Sequence, residues 1–148
     1  MIRLEPLTRF NWETAIRLSV SEDQQPFIPS NLFSIAQSRF EDSEPFLIVH
    51  DEEPVGFLLI VRFSGVYWIT RIMIDQFYQG RGYGPIALQK AVDLLKQRKG
   101  VDEIRTSVAR KNLEAENLFL QAGFRRLQEV DGKEFVMRLE WVPGQAQP

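Results

Sequence analysis

The stretch from Ile69 to Leu95 constrains the fold more than any other part of the chain. Residues 69–75 form an apolar run rich in β-branched residues, which predicts a buried strand. Further along, apolar residues return at helical spacing, at Leu88, Ala91, Val92 and Leu95. Between the two, Gln79–Gly84 carries three alternate glycines, which let the backbone turn sharply and approach another molecule closely. The stretch therefore predicts a strand, a tight glycine turn and a helix.

The start of this helix has the properties of an anion site. Pro85 suits the first helical turn, where its missing N–H costs nothing. The free N–H groups of that turn and the helix dipole both favour a negative charge in front of it. The turn is therefore predicted to hold a phosphate group.

The spacing of the glycines narrows the choice of phosphate ligand. No P-loop string occurs, and the dinucleotide fingerprint would need a glycine where Pro85 stands. Gln79, Gly82 and Gly84 do match the pattern Q/R-x-x-G-x-G/A. That pattern resembles the GNAT superfamily of acyl-CoA-dependent N-acyltransferases, in which this loop holds the coenzyme A pyrophosphate. A glycine turn without a ligand is the alternative interpretation.

A second motif strengthens the resemblance. Residues 112–124 match the family pattern N-x-x-A-x-x-L-Y-x-x-x-G-F, except that Phe119 replaces the tyrosine. The two motifs together cover residues 69–124, and the predicted order of elements extends the resemblance over nearly the whole chain. A chance match of both motifs at this separation is improbable.

Composition limits the class of protein. The chain has 148 residues, of which 44% are hydrophobic, and this suits one domain over residues 1–142 with a disordered tail at 143–148. No apolar run approaches ~20 residues, so no membrane segment is expected. The absence of cysteine excludes a thiol nucleophile, and a single histidine argues against a metal site. A net charge of −2 argues against nucleic-acid binding, and a cytoplasmic location is expected.

The predicted order of elements is β-α-α-β-β-β-α-β-α-β-β. It indicates an α+β, GNAT-like fold: a mixed, mostly antiparallel twisted sheet of about seven strands flanked by about four helices. In the first predicted helix, residues 12–20, Asn11 is the N-cap and the apolar face carries Trp12, Ile16 and Val20. The second starts at Ser30 or Asn31, ends near Phe40, and is expected to bury Phe33, Ala36 and Phe40.

The resemblance implies roles in coenzyme binding. The backbone groups of Ile72 and Ile74 would bond the pantetheine amides as an added strand would, with the Met73 side chain on the other face. The pyrophosphate would lie on the glycine turn, which comprises Gln79, Gly80, Arg81, Gly82, Tyr83 and Gly84. Asn112 would bond pantetheine, cap the next helix, or do both. Phe119 would flank the sulfur of acetyl-CoA.

The implied reaction is direct attack of an amine on the thioester, without an acylated residue. Many family members carry a glutamate base on the strand that enters the site, but the aligned positions here are Trp68 and Thr70, which do not titrate usefully. Asp75, Glu22 and Asp23 are candidates for the base by location only, and acids at such positions are more commonly solvated surface groups. Phe119 occupies the place of the usual general-acid tyrosine, so we expect water or the incoming ammonium to protonate the thiolate.

The acceptor site implied by the family lies at the loop between the first two helices. Glu22 and Asp23 offer charge there, while Phe27 and Trp68 offer apolar or cation–π surface, a combination that suits a long cation. Residues 25–31 and 68–75 resemble the bacterial spermine/spermidine acetyltransferase branch. The expected function is thus acetyl transfer from acetyl-CoA to a polyamine. The alternatives are another amine (an antibiotic, an amino acid or a protein N-terminus) or a coenzyme sensor without turnover. A homodimer is compatible with the family, although no dimer interface can be identified in the sequence.

Overall fold

A single mixed sheet organises the protein, for which a computed structural model describes residues 1–143. The strands run in the spatial order β1-β2-β3-β4-β5-β7-β6, and every neighbouring pair is antiparallel except β4–β5. They are β1 (Ile2–Pro6), β2 (Ser43–His50), β3 (Glu53–Phe63), β4 (Val66–Ile74), β5 (Glu103–Ala109), β6 (Arg125–Asp131) and β7 (Glu134–Glu140). The predicted α+β architecture and element order are confirmed.

Helices cover both faces of the sheet. They are α1 (Trp12–Arg17), α2 (Asn31–Ser38), α3 (Tyr83–Lys96) and α4 (Leu113–Gln121). Ala15 of α1 and Ile35 of α2 pack on one core cluster with Phe57, Leu59 and Met73. Residues of α3 and α4 pack on the opposite cluster, which contains Leu58, Ile69 and Phe135. Within residues 1–143, no helix is long and apolar enough to cross a membrane.

The two parallel strands at the centre separate after a few residues. Their register pairs are Tyr67 with Ile104 and Trp68 with Arg105, and Thr106 Oγ1 then donates to Ile69 O at 2.8 Å. At that point β4 has one extra residue, Thr70, because Ile69 faces Ile60 of β3 whereas Arg71 faces Leu59. Such a β-bulge bends its strand and increases the twist. The rest of β4 therefore leaves β5, and a gap opens between them.

The backbone of β4 directs polar groups into this gap. Asp75 N donates to Val55 O at 2.8 Å, and Met73 O lies so close to Gly56 that a Cβ there would be 2.3 Å away. Since alternate residues of an antiparallel strand direct their N–H and C=O groups to opposite edges, Ile72 and Ile74 direct theirs toward β5. Their side chains face the α3–α4 side, and Met73 faces the other.

The predicted apolar face of α2 is wrong. Phe33 is 57% exposed and Phe40, beyond the end of the helix, is 89% exposed, whereas Asn31 and Ser34 are buried. The physical reason is a polar contact that hydrophobicity cannot indicate: Asn31 Nδ2 donates to Ala15 O at 2.8 Å and to Leu18 O at 3.2 Å. The side of α2 that faces the core therefore carries Asn31, Ser34 and Ile35, and the helix is capped at Ser30, one of the two predicted residues.

The prediction for α1 also needs correction. The helix ends at Arg17, Ala15 rather than Trp12 is its buried residue, and Asn11 does not cap it with its side chain. Instead Asn11 Oδ1 accepts from Thr8 N at 2.7 Å, so the amide stabilises the preceding turn.

Other boundaries shift less. The α3 helix begins at Tyr83, two residues before the predicted start, because Gly82 adopts the left-handed conformation that precedes it. The helix ends at Lys96, and Gly100, with φ +78°, lies in the following loop. Apart from Pro143, the predicted disordered tail lies outside the described residues.

The close contact at Gly56 gives a stability prediction. Gly56→Ala places a Cβ against the Met73 carbonyl, which is backbone and cannot move away freely. We expect a loss of about 2–3 kcal/mol in the free energy of unfolding, measured in urea. Gly65→Ala is the control, because Gly65 has φ +80 but open space around it and should cost only about 1 kcal/mol. Equal losses in the two variants would contradict this account of the contact.

Candidate active site

One cleft connects the two faces of the sheet through the gap between β4 and β5. Its volume is about 370 Å³, and it extends from the glycine turn to the loop between α1 and α2. Its walls come from five segments of the chain: the α1–α2 loop, the end of β4, the glycine turn, the start of α3, and α4 with its N-cap. These contribute Val20, Gln24, Phe27, Ile28, Ile72, Met73, Ile74, Tyr78, Gln79, Gly80, Gly82, Tyr83, Gly84, Pro85, Asn112, Glu114, Ala115, Asn117, Leu118 and Gln121.

The glycine turn presents bare backbone at one end of the cleft. Gly80 and Gly82 have φ of +80° and +82°, and no atom lies within 4 Å of where their Cβ would be. The start of α3 has no side-chain cap, so the N–H groups of its first turn face the cleft without an intrahelical partner. Gly84 leaves a space between Ile74 and Leu118, each 3.9 Å from its would-be Cβ. This end of the cleft suits an extended anion.

Two tyrosines border the glycine turn. Tyr83 stacks on His50 with the ring centroids 4.6 Å apart, and its hydroxyl lies 3.2 Å from His50 Nδ1. The hydrogen bond that Tyr78 donates to Glu53 raises the pKa of the Tyr78 phenol, so this group stays protonated at neutral pH. Arg81 reaches over the Tyr78 ring, 5.4 Å from its centroid, and its side chain is outside the cleft lining.

A glutamine pair closes the middle of the cleft. Gln79 Nε2 donates to Ile74 O at 2.8 Å and to Gln24 Oε1 at 2.9 Å. Gln24 Nε2 in turn donates to Glu114 Oε2 of α4 at 3.3 Å. The α1–α2 loop is thereby connected to both the glycine turn and α4, directly across the gap.

The two predicted residues of the second motif differ in position. Asn112 lines the cleft and caps α4, since its Oδ1 accepts from Ala115 N at 3.2 Å. Phe119 is only 3% exposed and packs edge-on against Phe124 with the ring centroids 5.1 Å apart. The structure thus places the Phe119 ring in the core and not on the cleft wall.

The predicted acceptor residues are only partly brought together. Phe27 lies on the cleft wall, beside Ile28 and Met73. Glu22 and Asp23 are exposed and do not line the cleft, and Asp23 accepts a hydrogen bond from Ser21 Oγ at 2.6 Å. Trp68 lies farther along β4, where Arg105 stands 6.0 Å from its ring centroid.

Asp75 has a structural task. It is 6% exposed, Oδ1 accepts from Ser19 N at 2.8 Å, and Oδ2 accepts from Phe77 N at 3.1 Å. Ser19 O also accepts from Gln76 N at 2.9 Å. Both carboxylate oxygens therefore accept hydrogen bonds from backbone N–H groups, and these bonds connect the end of α1 to the end of β4. Its suggested role as the base is not supported by this geometry.

Sequence reasoning missed three polar residues near the cleft. Gln24 forms contacts over long separations, which leave no local pattern. Arg71 lies on β4 next to the cleft residue Ile72, and Glu134 of β7 accepts from Ser107 Oγ at 2.8 Å. The sequence offered one clue, since an arginine inside an apolar strand is unusual and calls for a partner or a function.

Comparison with known proteins decides the family. The model of the acetyltransferase (GNAT) family matches residues 8–124. The chain belongs to the GNAT family. It is accordingly an acetyl-CoA-dependent N-acetyltransferase, as the two motifs indicated.

Three relatives illustrate the similarity. The spermine/spermidine N(1)-acetyltransferase of Bacillus subtilis strain 168 is 25% identical over 139 residues, which cover 88% of this chain and 91% of that protein. A crystal structure of the aminoglycoside acetyltransferase AAC(6')-Ib with coenzyme A has a TM-score of 0.81 at 18% identity, with 95% of each chain covered. The spermidine N-acetyltransferase of Vibrio cholerae in complex with CoA and spermine has a TM-score of 0.73 at 16% identity, covering 94% of this chain and 95% of that one.

The position of Asp75 gives a second prediction. Asp75→Asn places an amide N–H₂ against one of two backbone N–H groups, and we expect it to cost about 1–2 kcal/mol in the free energy of unfolding. Because the Asp75 side chain holds backbone groups by hydrogen bonds and does not act as the base, kcat should fall less than about threefold. Asp23→Asn, an exposed acid, is the control and should leave stability within about 0.5 kcal/mol. A hundredfold loss of kcat with unchanged stability would instead assign catalysis to Asp75.

Proposed function

We propose that this N-acetyltransferase acetylates a primary amine of a polyamine such as spermidine or spermine. The observation that carries the proposal is the continuity of the cleft, which connects an anion-binding helix end with the α1–α2 loop through the gap in the sheet. The chemistry of the acceptor is supported by the similarity to the Bacillus spermine/spermidine enzyme over 88% of the chain.

The glycine turn fits the pyrophosphate of acetyl-CoA. Positive φ at Gly80 and Gly82 and the open space around both leave room for phosphate oxygens against backbone N–H groups. The helix dipole of α3 adds favourable electrostatics. Arg81 contributes charge from outside the cleft wall.

The gap in the sheet fits pantetheine. Ile72 and Ile74 direct their N–H and C=O groups into it, as an edge strand does toward an added strand. Ile74 O already accepts from Gln79 Nε2, so a pantetheine amide at that position replaces this bond. Asn112 faces the same space from the other wall, with its cap to α4 in place.

The reaction depends more on the orientation of the two substrates than on covalent catalysis by a residue of the protein. The acceptor nitrogen attacks the thioester carbonyl, the C–N bond forms and the C–S bond breaks. The nitrogen gives up two of the three protons of its ammonium form, one to solvent and one to the thiolate. A thiolate with a pKa of roughly 8.5, by analogy with cysteine, leaves without an acid at neutral pH. The core position of Phe119 agrees with a site that supplies no phenol to the sulfur. The chain's contribution is to hold the two reactants in line within a narrow gap.

The acceptor side of the cleft suits an alkyl chain that carries charges. Phe27, Ile28 and Met73 provide apolar wall for the methylene groups. Carboxylates lie farther out, at Glu41 and Glu134 on the α1–α2 face and at Glu22 and Asp23 on the loop. Exposed carboxylates of this kind attract a polycation and set its orientation more than its affinity.

An amine panel tests the acceptor. We expect spermine and spermidine to give kcat/KM at least about tenfold above simple monoamines, aminoglycosides, amino acids and peptide N-termini, because only a polyamine uses both the apolar wall and the carboxylates. Initial rates of coenzyme A release measure this. A higher value for any other class would replace the polyamine assignment. Tight acetyl-CoA binding without turnover on any amine would point to a sensor.

A glycine pair tests the coenzyme site. Gly82→Val should lower acetyl-CoA affinity at least about 100-fold, because the side chain blocks the turn and disfavours positive φ. Gly100→Val is matched to it, with φ +78 and open space, but lies far from the cleft. Calorimetric titration should show affinity within about threefold of wild type for this control. Near-normal binding by a folded Gly82→Val protein would remove the turn from the coenzyme site.

A further inference from the structure

The guanidinium of Arg71 lies beside the bulge in β4 at which the gap to β5 opens. Arg71 faces Leu59 across the β3–β4 pair, so its side chain is on the α1–α2 face of the sheet. Nη1 donates to Thr70 O at 2.7 Å and Nη2 to Gln37 Oε1 of α2 at 3.4 Å. The side chain thus extends from the bulge toward α2, on the side from which an acceptor approaches.

This charge has no direct counter-ion within the described residues. Among the side chains that the structure describes, those of residues 1–127 and 132–143, no carboxylate lies within 4.0 Å of the guanidinium, and its Nε is buried without a hydrogen-bond partner. The two nearby acids have other partners: Glu41 accepts from Gln37 Nε2 at 2.9 Å and Glu134 from Ser107 Oγ at 2.8 Å. A half-buried charge without an ion pair is costly, which suggests that it is retained for function.

The surroundings of Arg71 bear on its charge. Burial lowers the pKa of the guanidinium, and the charges of Glu134 and Glu41 oppose that change. The same face of β5 and β7 carries further charged groups that are paired with one another: Arg105 with Glu103 at 2.7 Å, and Arg138 with Glu140 at 2.7 Å. An arginine stays protonated throughout the working pH range, so Arg71 is a fixed positive charge.

A fixed positive charge at this position answers a chemical requirement. An aliphatic amine is mostly an ammonium ion at neutral pH and cannot attack until it loses a proton. Asp75 is occupied by backbone groups, and Glu22 and Asp23 are exposed on the α1–α2 loop. A like charge nearby disfavours the ammonium form and releases its proton to solvent.

We propose that Arg71 keeps the acceptor nitrogen that enters the gap in its neutral, nucleophilic form, and so replaces a general base by electrostatics. The inference rests on the proposed function only in requiring an amine acceptor. The ammonium first gives one proton to water. Its lone pair then forms the C–N bond, the C–S bond breaks, and a second proton passes from nitrogen to the thiolate. The products are the acetamide, the thiol of coenzyme A and one proton in solution.

The same charge selects which nitrogen of a polyamine reacts. The outer ammonium groups remain charged where Glu41 and Glu134 are near, while only the nitrogen beside Arg71 loses its proton. The arrangement of Arg71 with Glu41 and Glu134 therefore suits a polyamine, which carries several amines, better than it suits a substrate with a single ammonium group.

The test is the pH dependence of kcat for wild type, Arg71→Gln and Arg71→Lys with both substrates saturating. Glutamine keeps a donor for Thr70 O but removes the charge, so the apparent pKa should rise by about one unit and kcat at pH 7 should fall about tenfold. Lysine keeps the charge and should shift the apparent pKa by less than about half a unit. With a weakly basic amine that is already neutral at pH 8, wild type and Arg71→Gln should differ by less than about twofold. Thermal unfolding of the three proteins establishes that each is folded.

A direct measurement complements the kinetics. Calorimetric titration of the amine into the protein–coenzyme A complex, in two buffers of different ionisation enthalpy, counts the protons released on binding. Wild type should release more protons per amine than Arg71→Gln at the same pH. A uniform loss of kcat at all pH values with an unchanged apparent pKa and equal proton release would overturn the inference and leave Arg71 a structural residue. Should polyamines fail as substrates, the same measurements apply to whichever amine of the panel reacts or binds, so the two proposals fail separately.

Discussion

The hydrogen bond from Thr106 Oγ1 to Ile69 O marks the last place where the two central parallel strands meet. One residue later Thr70 adds a bulge to β4, and the strand bends away from β5. Without this separation, the backbone groups of Ile72 and Ile74 would be used up in an ordinary ladder. Because of it, a seven-stranded sheet contains an internal edge with free N–H and C=O groups, which is normally a feature of outer strands. The cleft, the direction of the glycine turn and the access from both faces all depend on that edge.

The loop between α1 and α2 connects the two sides of this opening. Asp75 anchors it at one end through Ser19 N, and Gln24 connects it in the middle to Gln79 and Glu114. Gln79 also holds Ile74 O, a group that pantetheine would use on the proposed coenzyme path. Occupation of the gap therefore changes the partners of Gln79 and, through Gln24, the loop that forms the acceptor wall. On the proposed function, the coenzyme and acceptor sites therefore share one hydrogen-bond network.

The sequence predicted the features that are determined locally. The glycine turn, the Asn112 cap and the element order follow from backbone preferences of a few adjacent residues, and each appears in the structure. The face of α2 was predicted wrongly because burial there follows the bond from Asn31 to Ala15 O, which joins separate elements. Arg71 stood within a recognised string of residues, yet its surroundings come from α2 and β7 and have no signature near residue 71. Features that depend on adjacent residues could be predicted from the sequence, whereas contacts between distant parts of the chain could not.

The chain lacks both the tyrosine at position 119 and the glutamate base on β4 that many members of the family carry, and the two absences have one explanation. The core packing of Phe119 against Phe124 keeps its ring off the cleft wall, and a hydroxyl added there would be buried among apolar rings and cost free energy without a partner. The positions aligned with a base are also filled by groups that do not titrate. A site with neither acid nor base must obtain both proton transfers from the reactants and the solvent. That requires a thiol that leaves easily, which coenzyme A supplies, and an amine that arrives neutral, which the unpaired guanidinium of Arg71 favours. On the proposed chemistry the protein therefore contributes position and fixed charge, and charges and dipoles that are already in place before the reaction lower its barrier most effectively.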